Sequence, residues 1–215
     1  MTTLRPSTRL ALLAAGLAAT FALQGCAPLL IGGAAVGSAL MVTDRRTAGT
    51  QVEDQSIELK GRNRVGQVLG DGGRVALTSY NRVVLLTGEV PDEATRTAVE
   101  EAVRKVENVR NVVNELGVGP VSSLGSRSND AILTSKVKAT YVDAKDLQAN
   151  AIKVVSERGI VYLLGRVTER EATRASDLAA GIPGVQKVVR VFEVISEDEL
   201  AGIRPVTPEP GKNPQ

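Results

Sequence analysis

The chain has 215 residues, 43% of them apolar, with one cysteine, no histidine and no tryptophan. That composition excludes a Ser-His-Asp or Cys-His pair, a Cys/His zinc cluster and an intrachain disulfide, and five aromatic residues are poor material for stacking bases. The 26 basic and 24 acidic side chains become 24 against 24 once Arg5 and Arg9 of the first 25 residues are set aside, so the body is neutral and lacks the footprint of a nucleic-acid binder.

Residues 1–9 are polar and positively charged, and Leu10–Leu23 is an almost wholly apolar run of 14 residues. A membrane span needs roughly 20 such residues, so residues 1–25 read as a secretory signal peptide. Leu23-Gln24-Gly25-Cys26 resembles a bacterial lipobox, with Gln24 where a small or hydroxyl residue is commoner. The resemblance implies that Cys26 becomes the first mature residue, bearing a diacylglyceryl thioether and an N-acyl chain such as palmitate. Two or more chains, at roughly 0.8 kcal/mol per buried CH₂, hold a protein stably on a bilayer. Ala27, rather than Asp, follows the cysteine, and in such lipoproteins this implies the outer membrane, facing the periplasm. Residues 26–53 read as the lipidated cysteine and a flexible tether: 27–43 is apolar but shorter than a span and interrupted by Gly32, Gly33 and Gly37, and Asp44-Arg45-Arg46 returns the chain to water.

The next stretch repeats itself. Val75–Val90 aligns with Ile152–Val167 at an offset of 77, and from Asp92 and Thr168 onward the offset is 76, matching Val99, Ala102, Val103 and Val106 to Ala175, Leu178, Ala179 and Ile182. Two units of about 65 residues result, 54–118 and 129–195, joined by the Gly- and Ser-containing segment 119–128. In each, Ile57, Gly61, Val65 and Val68, or Leu133, Val137 and Tyr141, fall at helical spacing, with Asp54 and Asn129 as expected N-caps. Alternating strands follow at Arg74–Tyr80 with Val83–Gly88, and at Ala151–Ser156 with Ile160–Val167, separated by short hairpin loops. A second helix starts in unit two at Thr168-Glu169-Arg170-Glu171, a capping-box pattern. The last strand, Val109–Val118 or Val185–Ile195, completes α-β-β-α-β. The expected fold is α+β: two tandem two-layer sandwiches, each a three-stranded sheet with two helices on one face. The periodicity ends at Ile195, and the proline-bearing segment 196–215 is expected to be a disordered tail.

The hairpins ending in Leu85-Leu86-Thr87-Gly88-Glu89-Val90 and Leu163-Leu164-Gly165-Arg166-Val167, with Ser128-Asn129-Asp130, Val167-Thr168-Glu169-Arg170-Glu171-Ala172 and Gly184-Val185, resemble BON domains. Two such units behind a lipobox resemble the dual-BON outer-membrane lipoproteins over roughly residues 23–195. The resemblance implies a non-enzymatic periplasmic module that associates with phospholipid and supports envelope integrity. It further implies that the second domain contacts anionic phospholipid, with enrichment at the division site.

The second helix of unit two is the candidate surface. Its core face is Ala175, Leu178, Ala179 and Ile182, and the opposite face presents Arg170, Thr173, Asp177 and Ala180, flanked by Arg174. Unit one holds 9 basic and 10 acidic side chains and unit two 10 and 8, the sign expected if only the second meets an anionic surface. Arg166, Arg170 and Arg174 would bias orientation at about 1 kcal/mol each. The plain alternative is a solvated helix face paired locally with Glu169, Glu171 or Asp177. No catalytic constellation, metal site or cofactor motif is apparent; Gly70-Asp71-Gly72-Gly73 lacks a following Gly-Lys-Ser/Thr. The competing reading is a periplasmic adaptor that engages an outer-membrane assembly or cell-wall protein through an exposed strand edge.

Overall fold

The computed structural model describes residues 44–203; the segment read as a signal peptide, Cys26, the stretch read as a tether up to residue 43 and residues 204–215 lie outside the described residues. The described chain runs α1 (Ala48–Leu69), β1 (Arg74–Tyr80), β2 (Val83–Val90), α2 (Glu93–Arg104), β3 (Asn111–Asn114), β4 (Gly117–Val118), α3 (Leu124–Asp143), a 3₁₀ turn (Ala149–Ala151), β5 (Ile152–Glu157), β6 (Ile160–Val167), α4 (Glu169–Ala180), β7 (Lys187–Val194) and α5 (Glu197–Ile203). It is the α+β tandem expected, with two points of difference at the ends. A seven-residue helix occupies part of the segment read as tail, seated through the buried Leu200. Residues 44–53, read as tether, are an ordered strap and the first turn and a half of α1.

Each sheet is mixed. β1 and β2 form an antiparallel hairpin, and β3 then runs parallel to β2 on its other side. β5, β6 and β7 repeat the order with β6 and β7 parallel over eight residues. In the first sheet the last strand is broken at Glu115-Leu116 and resumes as β4 in the same register on β2. The break coincides with Arg158, which reaches across from the second hairpin turn to the carbonyls of Gly88 (3.4 Å) and Glu115 (3.5 Å). A Cβ at Gly117 would lie 1.7 Å from Arg158 Nη1, so a side chain there would push the guanidinium away from these carbonyls.

The helices start earlier than the sequence pattern suggests. Thr47 and Ser123 are the N-caps, accepting from the N–H groups of Thr50 and Ser126. Asp54 therefore lies inside α1, buried, where its carboxylate accepts from the Ser79 hydroxyl (2.7 Å) and from the N–H groups of Asn81 and Arg82 (2.8 Å each). Asn129 is an exposed residue within α3 rather than a cap, and its neighbour Asp130 repeats the Asp54 arrangement, accepting from Arg158 and Gly159 N–H at 2.9 Å each. Both hairpins turn through two residues of positive φ: Asn81 and Arg82, then Arg158 and Gly159. These are the dihedral signs of a type I′ turn, which costs non-glycine residues energy that a carboxylate binding the turn amides offsets. The capping box at Thr168 and Glu171 forms as its residues indicate.

The two units pack sheet against sheet. One face of each sheet buries its own helices, around Ile57, Val84, Leu86, Val99 and Val103 in the first unit and Val137, Tyr141, Val161, Leu163 and Ala175 in the second. The other faces meet through Tyr80, Leu85, Tyr162 and Leu164. Ion pairs border this apolar centre: Arg110–Glu193 at 2.9 Å, Lys153–Glu58 at 3.2 Å, and Arg74 bridging Glu89 and Glu157. Double-sided burial explains why β2 and β6 read as near-continuous apolar runs.

Candidate functional site

The tether root is fastened to both units. Arg45 makes a bidentate pair with Glu171 of the α4 capping box (2.6 and 2.8 Å) and donates to the Arg166 carbonyl at 2.8 Å. Arg46 pairs with Asp44 and Asp54 and stacks 4.2 Å from the centroid of the Tyr80 ring. Burial pushes the Glu171 carboxyl up, but the Arg45 bonds and the Thr168 N–H outweigh it and hold it below its ordinary 4.5. A folded-state value below the unfolded one gives stability that is present above pH 4.5 and is lost as pH falls through the folded value. Arg45→Ala is therefore expected to cost about 2 kcal/mol at pH 7, because it leaves a buried carboxylate with one partner fewer. Chemical denaturation from pH 7 to pH 3 checks this: the gap between variant and wild type closes below pH 4.5, and a constant gap would refute the carboxylate linkage.

The candidate residues on α4 separate into two groups. Arg170, Thr173, Arg174, Asp177 and Ala180 are all exposed. Arg174 pairs with Asp146 at 2.9 Å and Arg170 approaches Glu197 at 3.8 Å, so both cations already face carboxylates. Arg166 is not part of that face: it lies on β6, with its guanidinium paired to Glu193 of β7 (3.4 Å) and Glu199 of α5 (2.5 Å). Those carboxylates hold it in the seam between elements.

The sequence reading missed the outward face of α3. Leu124, Ile132 and Val142 are 74%, 54% and 71% exposed. At 100° per residue they lie within one 80° sector, opposite the buried Asp130, Leu133, Val137 and Tyr141, with the small residues Ser128, Ala131, Ser135 and Ala139 between them. Arg127 and Lys138 border the stripe on one side and Lys136 on the other, and none of the three has a carboxylate partner among the described residues. The three exposed apolar side chains and the three cations therefore share one outward-facing surface of α3. The strap adjoins it: Asp44 and Arg46 line a cleft of about 350 Å³ together with Lys138, Tyr141 and Val142.

No group of three or more His, Cys, Asp or Glu side chains that could hold a metal occurs among the described residues. No helix among them is long and apolar enough to cross a membrane.

Two α-β-β-α-β sandwiches packed back to back, each with a buried aspartate tying its first helix to its hairpin turn, define a tandem module. The BON domain model matches residues 54–120 and 129–196, and the chain belongs to that family. It is 43% identical over 197 residues to the outer membrane lipoprotein DolP of Haemophilus influenzae, covering 90% of this chain and 99% of that protein. It is 29% identical over 154 residues to a 21 kDa hemolysin of Actinobacillus pleuropneumoniae, covering 71% and 79% of the two chains. A third relative, the osmotically-inducible protein Y of Escherichia coli, is 26% identical over 117 residues, covering 53% and 58%.

Proposed function

We propose that this protein is a non-enzymatic outer-membrane lipoprotein, held on the periplasmic face through acylated Cys26, whose second BON domain rests on anionic phospholipid and so supports the integrity of that membrane. The lipobox resemblance and the 43% identity to an outer membrane lipoprotein support the anchor and the compartment. The observation that carries the lipid contact is the α3 stripe. Its three exposed apolar side chains lie between unpaired cations, beside the strap that leads to the anchor. The α4 residues Arg170, Thr173, Arg174, Asp177 and Ala180 share the outer helical layer and form its more strongly neutralised part. Near an anionic leaflet Arg127, Lys136 and Lys138 contribute about 1 kcal/mol each. That contact is weak alone and becomes effective through the high local concentration an anchor provides. Enrichment at the division site belongs to the same reading and is checked by imaging a fluorescent fusion in dividing cells.

Vesicle co-sedimentation of the non-acylated chain beginning at Ala27 tests the contact. Binding to vesicles containing phosphatidylglycerol is expected to exceed binding to phosphatidylcholine vesicles. Ile132→Glu with Val142→Glu is expected to weaken it at least about tenfold, since each change places a carboxylate where an apolar group met the leaflet. Arg170→Glu with Arg174→Glu is expected to weaken it only about threefold, those cations being already paired. Equal binding to both vesicle types, or full binding by the Ile132/Val142 variant, would overturn the reading.

A further inference from the structure

The two units end their sheets differently. In the first, the strand beside β2 is four residues long, breaks at Glu115-Leu116 and resumes for two. In the second, β7 runs for eight residues without a break and forms the edge of its sheet, paired with β6 alone. Ile195 N–H donates to the Val167 carbonyl of β6 at 2.9 Å. Alternation back along the strand turns the N–H and C=O groups of Val188, Arg190, Phe192 and Val194 away from β6, out of the sheet. An edge of this length is a template for one more strand.

The edge opens onto a groove of about 410 Å³ that both units build. Arg190, Val191 and Phe192 line it from the second sheet, and Val83 and Val113 from the first. A strand laid along β7 therefore also meets apolar side chains of the first unit. The charge at this edge selects its occupant. Arg190 is half-exposed at mid-edge, and its carboxylate partner, Glu169 at 3.6 Å, is largely in water, which screens the pair. Lys187 is exposed at the start of the strand with no carboxylate partner among the described residues. Arg110 lines the same groove. The one acid of the lining, Glu193, already serves Asn81, Arg110 and Arg166. A second copy of the chain suits this edge poorly: the two-fold register that matches Lys187 with Glu193 of a second copy also sets Arg190 opposite itself, like charge against like.

We propose that the β7 edge takes up an extended acidic peptide of another protein as a fourth strand of the second BON sheet. The outward N–H and C=O groups of Val188, Arg190 and Phe192 bond its backbone. Its side chains alternate between two environments. Val189 and Val191 face the cluster between the sheets, so peptide residues on that side are apolar and rest on Val83 and Val113. Val188 and Phe192 face the helices, and Arg190 shares their side, so carboxylates belong there. This site uses neither the α3 stripe nor the outer face of α4, and it does not rest on the membrane reading above.

The test titrates the non-acylated chain beginning at Ala27 with a short peptide that alternates valine with glutamate, followed by amide chemical shifts at physiological salt. Saturable shifts are expected at residues 188, 190 and 192 of the edge and at 111 and 113 across the groove. A peptide alternating valine with lysine is expected to bind at least about tenfold more weakly. Two further probes carry methyl groups on one or the other alternate set of amide nitrogens, leaving the charge unchanged. The one whose methyls face β7 is expected to lose at least about tenfold in affinity, because its ladder hydrogen bonds are blocked. Arg190→Glu, an exposed change, is expected to reverse the preference between the glutamate and lysine peptides. No saturable binding of the glutamate peptide, equal binding of both peptides, or parent-like binding by both methylated probes overturns the proposal. A concentration-dependent dimer in analytical ultracentrifugation that the glutamate peptide fails to dissociate assigns the edge to a second copy and overturns it as well.

Discussion

Asp54→Ala is expected to lose about 3–4 kcal/mol of stability, enough to leave the first BON domain largely unfolded in mild denaturant. The residue is 2% exposed and its carboxylate has four partners: the Ser79 hydroxyl, the Asn81 and Arg82 amides, and the Arg46 guanidinium at 2.8 Å. Alanine removes all four at once. It strands two amides in a turn whose positive φ values are unfavourable for asparagine and arginine, and it releases the strap from the first unit. The matching change Asp130→Ala removes only the two amide contacts, one of them from a glycine that tolerates the turn unaided, and is expected to cost about 2 kcal/mol. Urea titrations followed by circular dichroism give both values. If the two variants rank in the reverse order, the account of the turn is wrong.

Gly88→Ala is the second large effect, about 3–5 kcal/mol. Gly88 sits in β2 at φ +117, directly opposite Val75, and a Cβ there would stand 2.0 Å from the Arg74 carbonyl oxygen. The obstruction is backbone of the paired strand, which cannot turn aside as a side chain would. Alanine must therefore separate β1 from β2 at the sheet end that also receives Arg158 from the second unit. Loss of dispersed amide signals from the first domain, with those of the second largely retained, is the expected result. A variant with wild-type dispersion would show that the hairpin relaxes far more cheaply than its geometry indicates.

The residues that announce the fold do so through short-range pattern. The second helices, the strand pairs on either side of Asn81 and Arg158, and Thr168 with Glu171 are all local, and the structure contains each, with Val106 and Ile182 falling just beyond the helix ends and strand bounds shifted by one or two residues. The helix starts were misplaced because Thr47 and Ser123 precede polar turns with no apolar period, while Asp54 looked like a cap and is a buried acceptor. The docking of the sheets had a signal that periodicity alone does not decode: Leu85-Leu86 and Leu163-Leu164 put apolar side chains on both strand faces. The grip of Arg45 on Glu171, 126 residues away, left no local trace. The α3 stripe was legible in principle, since Leu124, Ile132 and Val142 share one helical sector, but attention to the buried sector alone passes over it. Arg166 closely precedes α4 in sequence, yet alternation along β6 turns it toward the other sheet face, away from the surface of Arg170 and Arg174.

Because each sheet is backed by its fellow, the molecule has two rooftops and no floor. In the orientation we propose, with the α3–α4 tiles flat on a leaflet, the α1–α2 tiles are turned the opposite way, out into the aqueous compartment. That orientation leaves the first BON domain free for an external protein to grasp while the second keeps its proposed lipid contact.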